Sequence, residues 1–213
     1  MKKIRFRYSR GEELKYISHL DMMRLWPRVF RRAGLDMAYS EGFNAHPRLA
    51  VAAPLAVGWT SETELMEAWL ENPPAASTVL GLVAARMPAG VTVEQAMFMP
   101  QESPSLQSLV RFAEYQVTLP LDRPAAQIGQ AVDNLLELTT LEWSHQRDKT
   151  TRTYDLRAQI DDMYVVGTQD DAVTLFMRLK NDPSGSGRPE QMALALGFTA
   201  KPRSIHRTRL VLA

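Results

Sequence analysis

The chain has 213 residues, 45% hydrophobic and 23% charged, a globular mix that argues against disorder and fits one large domain or two small ones. It has no cysteine, which excludes disulfides, thiolate zinc sites and a cysteine-held iron–sulfur cluster. The net charge of +1 hides a gradient, with 11 Lys/Arg against 5 Asp/Glu in residues 1–50, 5 against 12 in residues 51–150, and 9 against 7 in residues 151–213. A basic first quarter beside an acidic middle suggests a surface that faces a polyanion, although uneven charge also serves solubility alone.

Residues 3–8, KIRFRY, alternate: Ile4, Phe6 and Tyr8 point one way and Lys3, Arg5 and Arg7 the other, as in a half-buried strand with a basic outer face. A helix is predicted over 18–33. Ser18 and Asp21 have capping-box spacing, Leu20, Met23, Trp26, Phe30 and Ala33 form an apolar stripe, and Gly34 is a natural stop. Arg24, Arg28, Arg31 and Arg32 share another face. Pro27 removes a backbone donor, so a kink is expected there. Short strands at 36–40 and 48–57 flank the loop SEGFNAHP, and a further strand covers 61–70. A helix capped by Ser77 follows over 77–86, then a strand over 91–98. The order matches the split β-α-β pattern of a ferredoxin-like lobe.

Residues 101–113 read as a linker that takes in most of the polar, proline-bearing PQESPSLQS segment, after which the pattern repeats. A strand is predicted over 114–119, and a helix opened by Pro124 with Ile128, Val132, Leu135 and Leu136 inward. Strands follow near 140–146, 153–158, 162–167 and 172–180, then a short helix from Pro189 to Leu196 and a strand over 204–212. The expected fold is α+β: two tandem ferredoxin-like (split β-α-β) lobes with antiparallel sheets, over 1–100 and 114–213. Basic residues at the N-terminus precede no apolar run, and no stretch of about 18 apolar residues occurs. A cytoplasmic chain without a signal peptide or membrane contact is therefore expected.

The block YISHLDMMRLWPRVFRRAGLDMAYSEGFNAHPRLAVAAPLAVG, with SHLD and YSEGFNAHP as its most specific parts, resembles the bacterial radical-SAM-linked protein family. YDLRAQI, GRPEQMALALGF and SIHRTRL extend the likeness over nearly the whole chain. The resemblance implies a domain of uncharacterised function that occurs alone or joined to a radical-SAM enzyme region, and hence a radical-SAM protein as partner. At the level of fold alone, the tandem lobes also resemble CRISPR repeat-RNA endoribonucleases.

Three groups of residues can carry chemistry. Ser18, His19 and Asp21 sit at a helix start, where free N–H groups favour an anion. Tyr39, Ser40, Asn44 and His46 are candidates to face it, Gly42 to let a backbone come close, and Phe43 to stack on a base. Capping and a tight turn explain the same residues without a ligand. The second group is Lys3, Arg5 and Arg7 with the helix arginines, suited to phosphate. The third is Lys149, Arg152, Arg157, Arg188, His206, Arg207 and Arg209, of which Arg157, Arg188 and Arg207 are the candidate substrate contacts. His19, His46, His145 and His206 make no short metal-binding pair, so no metal is expected. The absence of a Walker loop, of G-x-G-x-x-G and of C-x-x-C leaves no cofactor expected either. An RNA-binding accessory module beside a radical-SAM enzyme is the leading reading. The alternatives are a metal-independent RNA-cleaving or RNA-modifying enzyme, with His19 as acid or base, Asp21 orienting it and His46 as its partner, and a protein-interaction subunit that presents Glu62, Glu64, Glu67 and Glu71.

Overall fold

The structure is a computed structural model that describes residues 1–147, 150–182 and 184–213, the side chains of residues 145–147, 150 and 152 excepted. Lys149 and the side chains of Arg152 and His145 therefore lie outside the described residues. The protein is a mixed α+β chain with a mostly antiparallel sheet, and it divides into two compact units, Met1–Val110 with Ala213, and Arg111–Leu212.

The first unit contains β1 (Lys2–Arg10), a 3₁₀ turn (Glu12–Leu14), α1 (His19–Arg32), β2 (Leu49–Val51), β3 (Thr60–Leu70), α2 (Ala76–Ala84), β4 (Val91–Met99) and α3 (Leu106–Leu109). The strands lie in the order β2-β3-β1-β4, each antiparallel to its neighbour. The alternation of β1 is realised, since Ile4, Phe6 and Tyr8 are buried. They pack on α1, with ring centroids 5.6 Å apart for Phe6–Trp26, 5.6 Å for Phe6–Phe30 and 5.2 Å for Tyr8–Trp26. These contacts set α1 antiparallel to β1, so the helix starts at the Arg10 end of the strand and finishes at the Lys2 end.

Several sequence expectations shift. The buried stripe of α1 is Met22, Trp26, Val29 and Phe30, while Leu20 is exposed. The helix runs through Pro27 to Arg32 and stops at Gly34, whose φ of +69° only glycine adopts without strain. Residues 36–40 form no strand, only the isolated bridges Met37–Leu70 and Tyr39–Pro47. Ser77 does not cap α2, whose N-cap is Ala75.

The largest correction concerns the basic outer face of β1. Lys3 and Glu67 side chains are 2% and 1% exposed, with Lys3 Nζ 3.1 Å from Glu67 Oε2. Arg5 donates to Glu67 Oε1 from Nε at 3.0 Å and from Nη2 at 2.7 Å. Arg7 pairs with Glu94 at 3.1 Å. Lys3 also donates to the Ser103 carbonyl at 3.4 Å, and α3, in the stretch read as linker, packs against β2 with Leu106 fully buried. A strand face predicted to meet solvent is thus largely covered and neutralised. Glu64, read with Glu67 as a partner-facing surface residue, is likewise buried.

The second unit contains β5 (Val110–Pro120), α4 (Ala125–Glu137), β6 (Glu142–Arg147), β7 (Thr150–Asp155), a 3₁₀ turn (Arg157–Gln159), β8 (Ile160–Gln169), β9 (Ala172–Asp182), β10 (Gly185–Ser186), α5 (Pro189–Ala195) and β11 (Ser204–Leu212). β9 lies between β5 and β8, and β5 between β9 and β11; β10 pairs with the end of β9. The antiparallel β6–β7 pair is a separate two-stranded sheet between α4 and β8 in the chain. Val117 and Leu119 on β5, Leu175 and Met177 on β9, and Ile128 and Val132 on α4 are all buried. Among the described residues no helix is long and apolar enough to cross a membrane.

Candidate functional site

The predicted helix cap is present. Ser18 Oγ accepts from the Asp21 backbone N–H at 3.2 Å and donates to Asp21 Oδ2 at 2.7 Å. The Ser18 backbone N–H also bears on the Asp21 carboxylate, the reciprocal arm of a capping box with aspartate in place of the usual glutamate. The Ser18 hydroxyl, with Arg24 Nη1 3.4 Å from Oδ1, holds the Asp21 carboxyl below the usual aspartate value. Asp21 is exposed and stays ionised at neutral pH. His19 is half-buried beside it.

The second motif lies elsewhere. Tyr39, Ser40, Gly42, Phe43, Asn44 and His46 form an exposed turn, closed by Ser40 N–H to His46 O at 2.8 Å and His46 N–H to Ser40 Oγ at 3.0 Å. Its base is tied to the end of β3 by Ala38 N–H to Trp69 O at 2.8 Å and Trp69 N–H to Arg48 O at 3.1 Å. Trp69 and Leu70 pair with Lys3 and Lys2, whereas Ser18 lies at the Arg10 end of β1, where Gly58 N–H donates to Lys15 O at 2.7 Å. Lys2 to Arg10 spans roughly 26 Å at about 3.3 Å per residue. The fold therefore does not bring His46 to His19 and Asp21, and the shared hollow of the two motifs is not formed. The cause is chain direction: α1 carries the polypeptide back along the sheet before the turn begins. A Cβ at Gly42 would meet no protein atom within 4 Å, so within the protein the glycine serves its φ of +107°.

The helix arginines meet the expectation of exposure. Arg24, Arg28, Arg31 and Arg32 are all exposed, and among the described residues only Arg24 has a carboxylate partner, Asp21. Arg86, which sequence reasoning passed over, joins the far end of this stripe by donating from Nε to the Arg32 carbonyl at 3.3 Å. At the near end, Asp21, Arg24 and Arg28 rim a hollow of about 230 Å³ whose remaining lining is Leu14, Ile17, Leu25 and Pro88. Of these apolar residues only Ile17 had a sequence signal, its place just before the cap, where a hydrophobic staple forms.

The C-terminal arginines separate. Arg157 is half-buried, with Nε donating to the Leu136 carbonyl at 3.1 Å and Nη1 to the Ile160 carbonyl at 2.8 Å. Arg207 is 1% exposed and so is not a surface contact for phosphate. Arg188 is exposed and precedes α5, near the phenol of Tyr154 that donates to Gln191 Oε1 at 2.5 Å. Arg209 is exposed and His206 half-buried. Among the described residues no three His, Asp or Glu are grouped to hold a metal ion.

An α+β chain with a mostly antiparallel sheet and a helix carrying an exposed arginine stripe is the class of protein these features define. The chain belongs to the family described as "uncharacterized protein conserved in bacteria (DUF2344)", which matches over residues 3–189. No curated protein matches it. Among solved structures it is similar to the crystal structure of a Cbf5–Nop10–Gar1 complex, with a TM-score of 0.51, 13% identity, and coverage of 96% of this chain and 49% of that one. It also resembles an H/ACA RNP bound to a substrate RNA containing 2′-deoxyuridine (TM-score 0.48, 14% identity, 96% of this chain, 47% of that one). The archaeal box H/ACA sRNP Nop10–Cbf5 complex is similar too, with TM-score 0.48, 14% identity, 99% of this chain and 48% of that one. The chain thus spans about half the length of the solved chains it matches.

Proposed function

We propose that the protein is a cytoplasmic RNA-binding accessory module that acts beside a radical-SAM enzyme in RNA modification or processing. The observation that carries the RNA half is the α1 stripe: Arg24, Arg28, Arg31 and Arg32 are exposed on one helix, and Asp21 is the one carboxylate paired to them among the described residues. Guanidinium groups without intramolecular partners are available for phosphate oxygens, and their spacing along a helix suits a backbone of regularly placed charges. Two of them, Arg31 and Arg32, also oppose the helix dipole at its C-terminus, a purely structural benefit that would leave Arg28 unexplained. The enzyme partner rests on the likeness of SHLD and YSEGFNAHP to the radical-SAM-linked family; a chain without cysteine would leave the cluster chemistry to that partner. In this reading the two units are copies of one split β-α-β architecture, with strand orders β2-β3-β1-β4 and β8-β9-β5-β11 as its support.

The test is anisotropy of labelled single-stranded RNA across a salt series. Replacing Arg28, Arg31 and Arg32 by alanine together should lower affinity at least about tenfold and shrink the logarithmic salt slope by about 2, since each phosphate contact on a single strand contributes about 0.7. Absence of RNA binding at ~50 mM salt, or a triple variant that binds like the parent, removes the proposal. The enzyme half is tested by co-purification after nuclease treatment, where recovery of no radical-SAM protein would remove it.

A further inference from the structure

Resting on the RNA reading, we infer that the hollow at the start of α1 is a pocket for one unpaired guanine base, recognised by the Asp21 carboxylate. Leu14, Ile17, Leu25 and Pro88 give it apolar walls, and Asp21, Arg24 and Arg28 its polar rim. An apolar slot with a few convergent polar groups is the arrangement a flat heterocycle needs. At about 230 Å³ it lies below the roughly 300–1,000 Å³ of ordinary ligand sites, which suits one base and not a dinucleotide.

The rim specifies which base. An ionised carboxylate only accepts hydrogen bonds, through two oxygens with two lone pairs each. The Ser18 hydroxyl donates to Oδ2, the Ser18 backbone N–H also bears on the carboxylate, and Arg24 approaches Oδ1 only at 3.4 Å, so the four lone pairs are not all taken and the long Arg24 contact is the one a base would displace. Guanine offers two adjacent donors, N1–H and N2–H, matched to two carboxylate oxygens. Adenine and cytosine place an acceptor nitrogen beside their single exocyclic amine, which would turn one Asp21 oxygen against a lone pair. Uracil has one N–H between two carbonyls. Arg24 and Arg28, next to Asp21, supply donors for guanine O6 and N7 or for the adjoining phosphate. Guanine exposes N1–H and N2–H to a protein only when unpaired, so the pocket selects single-stranded RNA.

The experiment measures binding of the full chain to short labelled oligouridylates that carry one central guanosine, adenosine or cytidine. The guanosine oligomer should bind at least about fivefold more tightly than the others, the lower end of the discrimination expected for a bidentate contact. Asp21→Asn replaces one acceptor oxygen by a donor and should equalise the oligomers. The ratio is the readout, because loss of the negative charge raises affinity for any RNA. The side chain is exposed, and a single cooperative thermal unfolding transition above the assay temperature verifies that the variant is folded. Equal binding of all oligomers by the parent, or a guanosine preference that persists in Asp21→Asn, overturns the pocket and leaves the RNA reading standing. Failure of every oligomer to bind removes both.

Discussion

Lys3 and Arg5 on β1 and Arg28 and Arg31 on α1 belong to the same basic first quarter, and their periodicities mark both groups as the outward side of an amphipathic element. On β1 the cations converge on Glu67, and Lys3 and Glu67 are removed from water. On α1 the arginines remain exposed. The difference lies in what the rest of the unit covers: α1 packs one face onto a sheet and presents the other to solvent, whereas the second face of the sheet receives α3 and the stretch around Ser103. A charge pattern therefore identifies which residues share a face and leaves open whether another segment covers it.

The comparison breaks most directly at Glu67. Glu67→Ala leaves Lys3 buried without its counter-charge and should cost about 3–5 kcal/mol, read from the denaturant midpoint. A change below 1 kcal/mol, on the order of a surface pair, would place β1 in the same category as α1. The cap comes next: Ser18→Ala should cost about 1 kcal/mol by removing the acceptor for the Asp21 N–H.

The same substitution sharpens a pH effect. Asp21 is held below its ordinary value of 3.8, chiefly by the Ser18 hydroxyl, then by the Ser18 backbone N–H and by Arg24. A depressed carboxylate stabilises the fold above its unfolded value, and that contribution disappears as pH falls through the lower folded value. In Ser18→Ala the Asp21 carboxyl should titrate nearer 3.8, visible in the pH dependence of its NMR resonance. An unchanged titration midpoint would assign the depression to the Ser18 backbone N–H and Arg24.

The smallest effect is expected on the α1 stripe. Each of Arg28→Ala, Arg31→Ala and Arg32→Ala should change stability by less than about 0.5 kcal/mol, because exposed side chains away from buried networks contribute little. A loss above 2 kcal/mol for any one of them, measured in the same denaturant titration, would mean that the stripe is structural.

Much of the fold was legible. The alternation of KIRFRY, the 3.6-residue periodicity and Ser18 cap of α1, the stop at Gly34 and the strand over 204–212 are local properties, set by side-chain direction and backbone freedom. Local signals faded where pairing was irregular, so residues 36–40 became bridges and not a strand. The candidate site was legible in half: Ser18, Asp21 and the helix arginines stand together, while His46 and Phe43 are carried to the other end of β1. Arg157 and Arg207 carried the same formal charge as Arg28 in the sequence, yet Arg157 is tied to two backbone carbonyls and Arg207 is buried.

The sequence alone determined β1, α1 with its cap, and which arginines share the α1 face, since these depend on neighbours within about four positions along the chain. Only the tertiary structure decided that Glu67 neutralises Lys3 and Arg5, that Pro88 closes a hollow begun by Leu14 and Ile17, and that two polar motifs close in sequence sit far apart. Each of these depends on which distant segment covers a face, and burial of a face is a property of the packed unit and not of the local pattern.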